Sequence, residues 1–403
     1  MKRQAVTGLR RNLRRIINLF LALCVVNTLA LMLVVAAYYP KVEQVIRVYT
    51  LLRFQALTPP TLDKIFEGAI KGMVESLGDP YSSYLTPEVY RRLEEHVQGT
   101  YGGVGLLITL EEKEKRPVVV SPFKGTPAQR AGITSGDYIL AIDGRDTAGM
   151  DLETAASLMQ GEPGTKVELT VLKPGEKEPR RFTLIRETIK IPTVDGRMLP
   201  GYPGIGYISL SMFNEQTSGD LGKLLEELRR QGLKALILDL RNNPGGSLQA
   251  AVEVASYFIP KGPVVYIVDQ KKKEALQATG KYIKLPLVVL VNKGSASAAE
   301  IVAGAIKDSG SGVLIGETTF GKGVVQTIFP LKGGAAVKLT THKYLTPAQK
   351  DIDKVGITPD IQVKLDPRLE QEVLSHSPDL ERDTQLKKAL ELLQGKMVTS
   401  KAA

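Results

Sequence analysis

From Ile16 to Tyr39 the chain carries no charged residue, and six cations, Lys2, Arg3, Arg10, Arg11, Arg14 and Arg15, stand just before this run. No acidic residue occurs before Glu43. As a helix, 24 such residues are long enough to cross a hydrocarbon core of ~30 Å. The basic flank is expected to stay cytoplasmic, which sends everything after Tyr39 outward. A cleaved signal peptide would show a shorter apolar region and a small-x-small cleavage site, which Ala36-Ala37-Tyr38 fits poorly. The expectation is a basic tail and uncleaved transmembrane anchor over residues 1–40.

That arrangement also disposes of a nucleic-acid reading. The formal charge is +10, but the six N-terminal cations account for most of it and leave +4 over the remaining chain. No basic groove is implied, and no nucleic-acid partner is expected. Cys24 is the single cysteine, so no disulfide forms within the chain. His96, His342 and His376 stand far apart, in no ligand spacing. Neither a metal nor a cofactor is expected.

Residues 41–98 read as an N-terminal helical region. Leu62, Ile65, Phe66, Ala69, Ile70 and Met73 recur at helical spacing until Gly78-Asp79-Pro80 breaks the pattern. The texture changes at Gly99. Tyr101-Gly102-Gly103-Val104-Gly105 leads into the apolar run Leu106 to Leu110, followed by Gly125-Thr126-Pro127-Ala128 and by Gly136-Asp137-Tyr138 through Asp143-Gly144. These blocks, in this order, resemble a PDZ domain covering residues 99–187. A glycine turn ahead of a strand can aim backbone N–H groups at a carboxylate, and the strand edge can take up a peptide. Tyr101, Gly102, Gly103, Val104 and Gly105 are therefore the candidate peptide-binding residues. A tight turn without a ligand is the plainer reading of the glycines alone.

Residues 188–203 carry three prolines and read as a connector. From Gly204 the pattern is α/β: strands at Ile205–Leu210, Ala235–Leu240, Leu285–Val291, Val313–Gly316 and Val324–Phe329, with helices between. Residues 188–365 are assigned to one core and 366–403 to a polar linker and terminal amphipathic helix that could pair with another copy.

Ser297 stands where a strand turns into a helix, a place where free N–H groups can stabilise an oxyanion. Ser297-Ala298-Ala299-Glu300 is also a capping box, which needs no catalysis. Ser295 is an equal local candidate. The base is either His342, the histidine of the α/β region, or Lys322 in Phe320-Gly321-Lys322-Gly323, which would need desolvation or a nearby cation to act at neutral pH. Gln326, four residues on in a strand-like run, would share a face with Lys322. Gly316 to Lys322 mimics the start of a phosphate-binding loop, but Gly323 stands where Ser or Thr should be, and a β-rich run follows where a helix is required.

Together these motifs resemble the C-terminal processing (tail-specific) serine proteases, from about Phe66 to Pro359. Gly78 to Leu85 is similar to the family's N-terminal signature. Asp239-Leu240-Arg241-Asn242-Asn243-Pro244-Gly245-Gly246 is similar to its glycine loop, and Gly294 to Glu300 to its nucleophile turn. Gly316 to Gly323 with Gln326 resembles its lysine segment, and Tyr344 to Pro347 and Gly356 to Asp360 close the match. Ala299 stands where the family often has serine, and His342 where it commonly has a small residue. The resemblance implies a mixed-sheet α/β protease core with an inserted PDZ domain. It makes Ser297 the nucleophile, Lys322 the general base and Gln326 its orienting partner. Gly246, with Gly245 adjoining, and Ala298 would form the oxyanion hole. The implied protein is an extracytoplasmic, membrane-anchored bacterial endopeptidase acting on proteins with free apolar C-termini, with a possible homo-oligomer or activating adaptor. The alternative is a catalytically silent PDZ scaffold.

Overall fold

The computed structural model describes residue 28 and residues 39–111, 115–365 and 380–402. The expected spanning helix over Ile16–Tyr39, with Cys24 in it, lies outside the described residues apart from positions 28 and 39. Among the described residues no helix is long and apolar enough to cross a membrane. The chain divides into two compact units, with the boundary between Asp79 and Pro80.

In the first unit residues 39–54 are helical, and a second helix runs Leu62–Glu75. Thr61 caps the latter by accepting the Lys64 N–H at 3.4 Å. The expected helical region, 41–98, is interrupted by a short strand and resumes as the helix Pro87–Gln98. Pro80 to Gln98 belongs to the second unit, and Ser83–Leu85 is a strand paired antiparallel with Ala336–Lys338. A three-residue strand has no local signature. It exists because a distant strand offers it hydrogen bonds.

The second unit holds two cores. The part that resembles a PDZ domain runs through strands Leu106–Leu110, Pro117–Pro122, Tyr138–Ile142, Lys166–Leu172 and Arg180–Ile185, in that spatial order. It buries its own cluster, with Val119, Ile139, Ile142, Leu169 and Val171 at its centre. The chain enters and leaves this part through one neck. Thr100–Gly103 pairs antiparallel with Glu187–Lys190 as a separate two-stranded ribbon.

The other core is built on a six-stranded sheet in the order Val194–Met198, Ile205–Leu210, Ala235–Asp239, Leu287–Val291, Val313–Gly316 and Ile361–Gln362. The first pair is antiparallel and the rest are parallel. The connector expected at 188–203 thus contains the edge strand Val194–Met198. Gly196 lets it approach, since a Cβ there would lie 2.5 Å from the Tyr207 carbonyl oxygen.

Alternation along the central strands buries both faces. Leu236, Leu238, Val289 and Val291 face the helices Thr217–Arg230, Leu248–Ala255 and Ala298–Asp308, while Ala235, Ile237, Val288 and Leu290 face Leu386, Ala389, Leu390 and Leu393 of the helix Thr384–Ala402. This is why those strands read as unbroken apolar runs. The apolar side of the terminal helix covers the sheet of its own chain, so that side is part of the core.

A second sheet places Ser83–Leu85 and Val324–Pro330 on opposite edges of Ala336–Leu345, with Pro263–Val268 and Lys273–Gln277 beyond. The parallel strands of the first sheet all end on the same side, so the loops after Asp239, Val291 and Gly316 converge.

Candidate active site

The glycine loop and the nucleophile turn are stitched together atom by atom. The Asn242 N–H donates to Asn292 Oδ1 at 2.9 Å, and Asn292 Nδ2 returns a bond to Asn242 Oδ1 at 2.8 Å. The Ala296 N–H donates to the Asn243 carbonyl at 2.9 Å. Ser295 is fully buried; its hydroxyl donates to the Leu240 carbonyl at 2.7 Å and accepts the Asn292 N–H at 3.0 Å. Of the two serines that were local candidates, Ser295 is spent on holding the loops.

Ser297 is partly buried and opens the helix Ala298–Asp308. Its capping-box pairing with Glu300 is present, the Ser297 N–H donating to Glu300 Oε2 at 2.8 Å. A cap alone does not explain its backbone, however. An ordinary N-cap is extended, whereas Ser297 has φ 54° and ψ −114°, a conformation costing of order 1–3 kcal/mol for a residue with a side chain.

Gly245 and Gly246 differ in their hydrogen bonding. The Gly245 N–H is taken by Asn243 Oδ1 at 2.9 Å. A Cβ on Gly245 would lie 2.8 Å from Ser297 Cβ and 2.9 Å from the Ala298 nitrogen, so the loop backbone rests on the serine turn. Gly246 is exposed, and its φ of 135° presses it to the Phe213 carbonyl, 2.0 Å from where a Cβ would be. Among the described residues no group accepts a hydrogen bond from the N–H of Gly246 or of Ala298.

Arg241 anchors this loop from below. Its buried guanidinium pairs with Asp239 at 2.6 Å and Asp383 at 2.8 Å and reaches Gln385 Oε1 at 3.0 Å. Burial pushes its pKa down, but the two carboxylates outweigh that and hold it above the ordinary arginine value. Tyr207 donates to Asp239 Oδ2 at 2.7 Å. The glycine loop is thereby tied to the start of the terminal helix.

The lysine segment is fastened by Glu300, which is 0% exposed. Its Oε1 accepts the Thr319 hydroxyl at 2.5 Å and the Gly321 N–H at 2.8 Å, and its Oε2 accepts the Lys322 N–H at 2.9 Å alongside that of Ser297. One oxygen thus joins the backbones of Ser297 and Lys322. The N–H groups that a phosphate loop would aim at a ligand point here at a carboxylate, and Val324–Pro330 is a strand, so the ATPase reading fails on geometry as well as on sequence.

Burial, and secondarily the Lys338 charge, hold the Lys322 amine below its ordinary 10.5, against an upward pull from Glu300. Its Nζ stands 5.2 Å from the centroid of the Tyr81 ring. Tyr344, almost fully buried, donates to the Ser297 carbonyl at 3.2 Å; burial and then Glu300 raise its hydroxyl well above the usual value.

Gln326 is not brought to Lys322 by any hydrogen bond among the described residues; its amide donates to the Thr340 hydroxyl at 3.4 Å. Lys322 precedes the strand, and a bulge between Val325 and Gln326 shifts the pairing register beside the glutamine. His342 bonds through Nδ1 to the Thr341 hydroxyl at 2.7 Å.

In the PDZ part, the edge strand Leu106–Leu110 and the helix Leu152–Met159 border a cleft lined by Tyr101, Val104, Gly105, Leu106, Ile108, Ala156, Met159 and Gln160. The N–H groups of Val104 and Gly105 have no hydrogen-bond partner among the described residues. Burial pushes the Tyr101 hydroxyl up to about 12. Gly102 and Gly103 stand outside the cleft, in the neck, opposite Thr188 and Glu187. A Cβ on Gly102 would strike the Gly161 carbonyl at 2.1 Å, so that glycine serves packing.

Sequence reasoning missed the bridging role of Glu300, visible beforehand only as a capping residue, and the placement at the site of Tyr81 and Tyr344, which were read only as members of motifs.

Comparison with known proteins adds three matches: peptidase family S41 over residues 204–363, a PDZ domain over 118–173, and the N-terminal domain of the activating protease CtpB over 32–89. The carboxyl-terminal-processing protease of Synechocystis sp. is 41% identical over 332 residues, 81% of this chain and 76% of that protein. Carboxy-terminal processing protease CtpA of Bacillus subtilis is 40% identical over 306 residues, 75% of this chain and 65% of that protein. A Bacteroides fragilis structure described as a candidate S41 protease shares the fold, with TM-score 0.54 and 18% identity over 87% of this chain and 97% of that one.

Glu300→Gln leaves one side-chain oxygen and turns an amide donor toward other donors. Turnover is expected to fall roughly 10²-fold or more as the two loops lose register. Ser295→Ala should lower stability by about 1–3 kcal/mol while leaving most activity in the folded enzyme. Denaturant titration paired with initial rates checks both; a Gln variant with normal turnover contradicts the tether.

Proposed function

Since the chain belongs to the carboxyl-terminal-processing proteases of peptidase family S41 and is a serine peptidase, we propose that Ser297 is its nucleophile and Lys322 its general base. Neutral Lys322 takes the hydroxyl proton as Ser297 Oγ bonds to the peptide carbonyl carbon. The oxyanion of the tetrahedral intermediate is held by the Gly246 and Ala298 N–H groups. Lys322 then passes the proton to the leaving amine as the C–N bond breaks. Water enters, Lys322 takes a proton from it as the water oxygen bonds to the acyl carbon, and Lys322 returns that proton to Ser297 Oγ as the acyl–Oγ bond breaks.

The observation that carries this reading is the shared Glu300 oxygen. It fixes the Ser297 and Lys322 backbones to each other while two neighbouring N–H groups are left open. The strained φ of Ser297 adds support, since strain of this kind gathers at reacting residues. Gln326 is proposed to orient Lys322; in the resting structure its amide donates to the Thr340 hydroxyl at 3.4 Å.

Ser297→Ala and Lys322→Ala should each lose roughly 10³-fold or more in turnover, and the double variant little further, because such groups act as a unit. Lys322→Arg should fail as well, since arginine stays protonated. With the Lys322 pKa lowered, kcat/KM should rise with pH as the amine loses its proton and level off below pH 10.5. A silent scaffold would show no activity to lose. Activity surviving in Lys322→Ala but lost in His342→Ala would transfer the base to histidine.

In this reading the PDZ cleft takes the substrate's C-terminus. The Val104 and Gly105 N–H groups receive the carboxylate, Leu106–Leu110 adds the peptide as a strand, and Ile108, Ala156 and Met159 receive apolar side chains. Peptides ending in a free apolar residue should bind the full chain, and amidation of that terminus should weaken binding. Equal affinities for acid and amide in a fluorescence titration would remove the carboxylate from the account.

The charge-free run after the basic tail supports a single-pass anchor with the catalytic body outside the cytoplasm. Added protease should then digest the body in spheroplasts and spare it in inverted vesicles. The opposite pattern would reverse the topology.

A further inference from the structure

A base that takes a proton from serine changes charge within one step. Before the step it must be neutral, and afterwards it is an ammonium. A carboxylate paired to it would favour the ammonium at rest and silence the base. No partner at all would leave the ammonium unstabilised in a partly buried site.

Lys322 meets this requirement in an unusual way. Among the described residues its Nζ has no carboxylate within ion-pair distance. Glu300 faces it, but both oxygens of that carboxylate are committed to Ser297, Thr319, Gly321 and the Lys322 backbone. Asp353 accepts the Gly323 N–H at 3.2 Å, and the Lys338 ammonium acts on Lys322 with like charge. The Tyr344 hydroxyl is turned to the Ser297 carbonyl. What stands beside Nζ is the Tyr81 ring, 5.2 Å to its centroid, within the range where an aromatic face attracts a cation.

The ring is held there by backbone pairing. Gly78, at φ 65°, and Pro80 turn the chain. The Ser82 hydroxyl accepts the Thr340 N–H at 3.0 Å, and Ser83 pairs with Lys338. On the other edge of the same strand lies Val324–Pro330, which follows Lys322 directly, with Ile328 opposite Lys338. One strand therefore holds the Tyr81 segment and the lysine segment in register.

We propose that Tyr81 is a positioning residue for the reaction: its ring face receives the ammonium that Lys322 becomes on taking the Ser297 proton. The attraction acts on the charged form, so it favours the transition state; being weaker than that of a paired carboxylate, it favours the resting ammonium only slightly and leaves the amine able to accept a proton. Nothing is consumed; the proton leaves Ser297 Oγ as the Oγ–C bond forms, rests on Nζ, and goes to the leaving nitrogen as the C–N bond breaks. This inference rests on Lys322 being the base.

The test compares two full-length variants that both lack the hydroxyl: Tyr81→Phe, and pentafluorophenylalanine introduced at position 81, which keeps the shape and reverses the charge distribution of the ring face. Relative to Tyr81→Phe, the fluorinated enzyme is expected to lose roughly 3- to 30-fold in kcat with little change in KM. Its kcat/KM profile should rise at lower pH, because the cation is no longer favoured. A ring that merely packs would give the same kcat and the same profile in both, and that result overturns the inference. Lys322→Ala run beside them separates the two failures. If it stays active, the assignment of the base is wrong. If it is inactive while the two ring variants agree, only the role of Tyr81 is wrong.

Discussion

The carboxylate of Glu300 is the constraint on which the site depends. It is wholly buried, and a buried carboxylate must be met by donors or it destabilises the fold. Its donors come from two loops that are remote in sequence: the serine turn through Ser297, and the lysine segment through Thr319, Gly321 and Lys322. Neither loop can shift without leaving charge unpaired. Thr319 extends the arrangement, because its hydroxyl also accepts the Ile357 N–H at 2.7 Å and so fastens the Gly356-Ile357 turn. A second buried network acts on the third loop. Arg241 ties the glycine loop to Asp383, and through it to the terminal helix. Removing one partner from a buried pair of this kind typically costs about 3–5 kcal/mol, so the loops are costly to displace.

These networks can be local because the sheet beneath them is rigid. Both faces of Ala235–Asp239 and Leu287–Val291 are covered, one by three helices and the other by the terminal helix. The strands deliver their loops to one rim, and strain is concentrated there: Asn242 at φ 55° and Ser297 at φ 54° are non-glycine residues in the left-handed region. The PDZ part has a separate core and reaches the rest of its unit through a two-stranded neck. In the proposed function, peptide capture and peptide cleavage fall to two separate cores of one chain.

Much of this was legible beforehand, for identifiable reasons. The parallel strands announced themselves as apolar runs because they are buried on both faces. The serine turn, glycine loop and lysine segment were legible as motifs because each needs particular backbone geometry, such as the close approach of Gly245 to Ser297. The edge strand Val194–Met198 and the strand Ser83–Leu85 were not legible; pairing with distant partners makes them, and their own sequences are polar or short. Gln326 was expected to face Lys322; the one-residue bulge beside it, which no motif announces, shifts its pairing register. The terminal helix looked like an appendage because periodicity reveals an apolar face without saying what covers it. The bridging function of Glu300 was hidden behind a simpler one, since a capping glutamate and a tether between loops look identical in one dimension.

The central claim is that Ser297, served by Lys322, carries the acyl group. Rapid-quench mass spectrometry of the full chain with a peptide substrate tests it most directly. The account predicts an acyl adduct that maps to Ser297, forms faster as pH rises, and is absent in Lys322→Ala. An adduct on Ser295, or steady cleavage with no covalent intermediate at any time point, would contradict it.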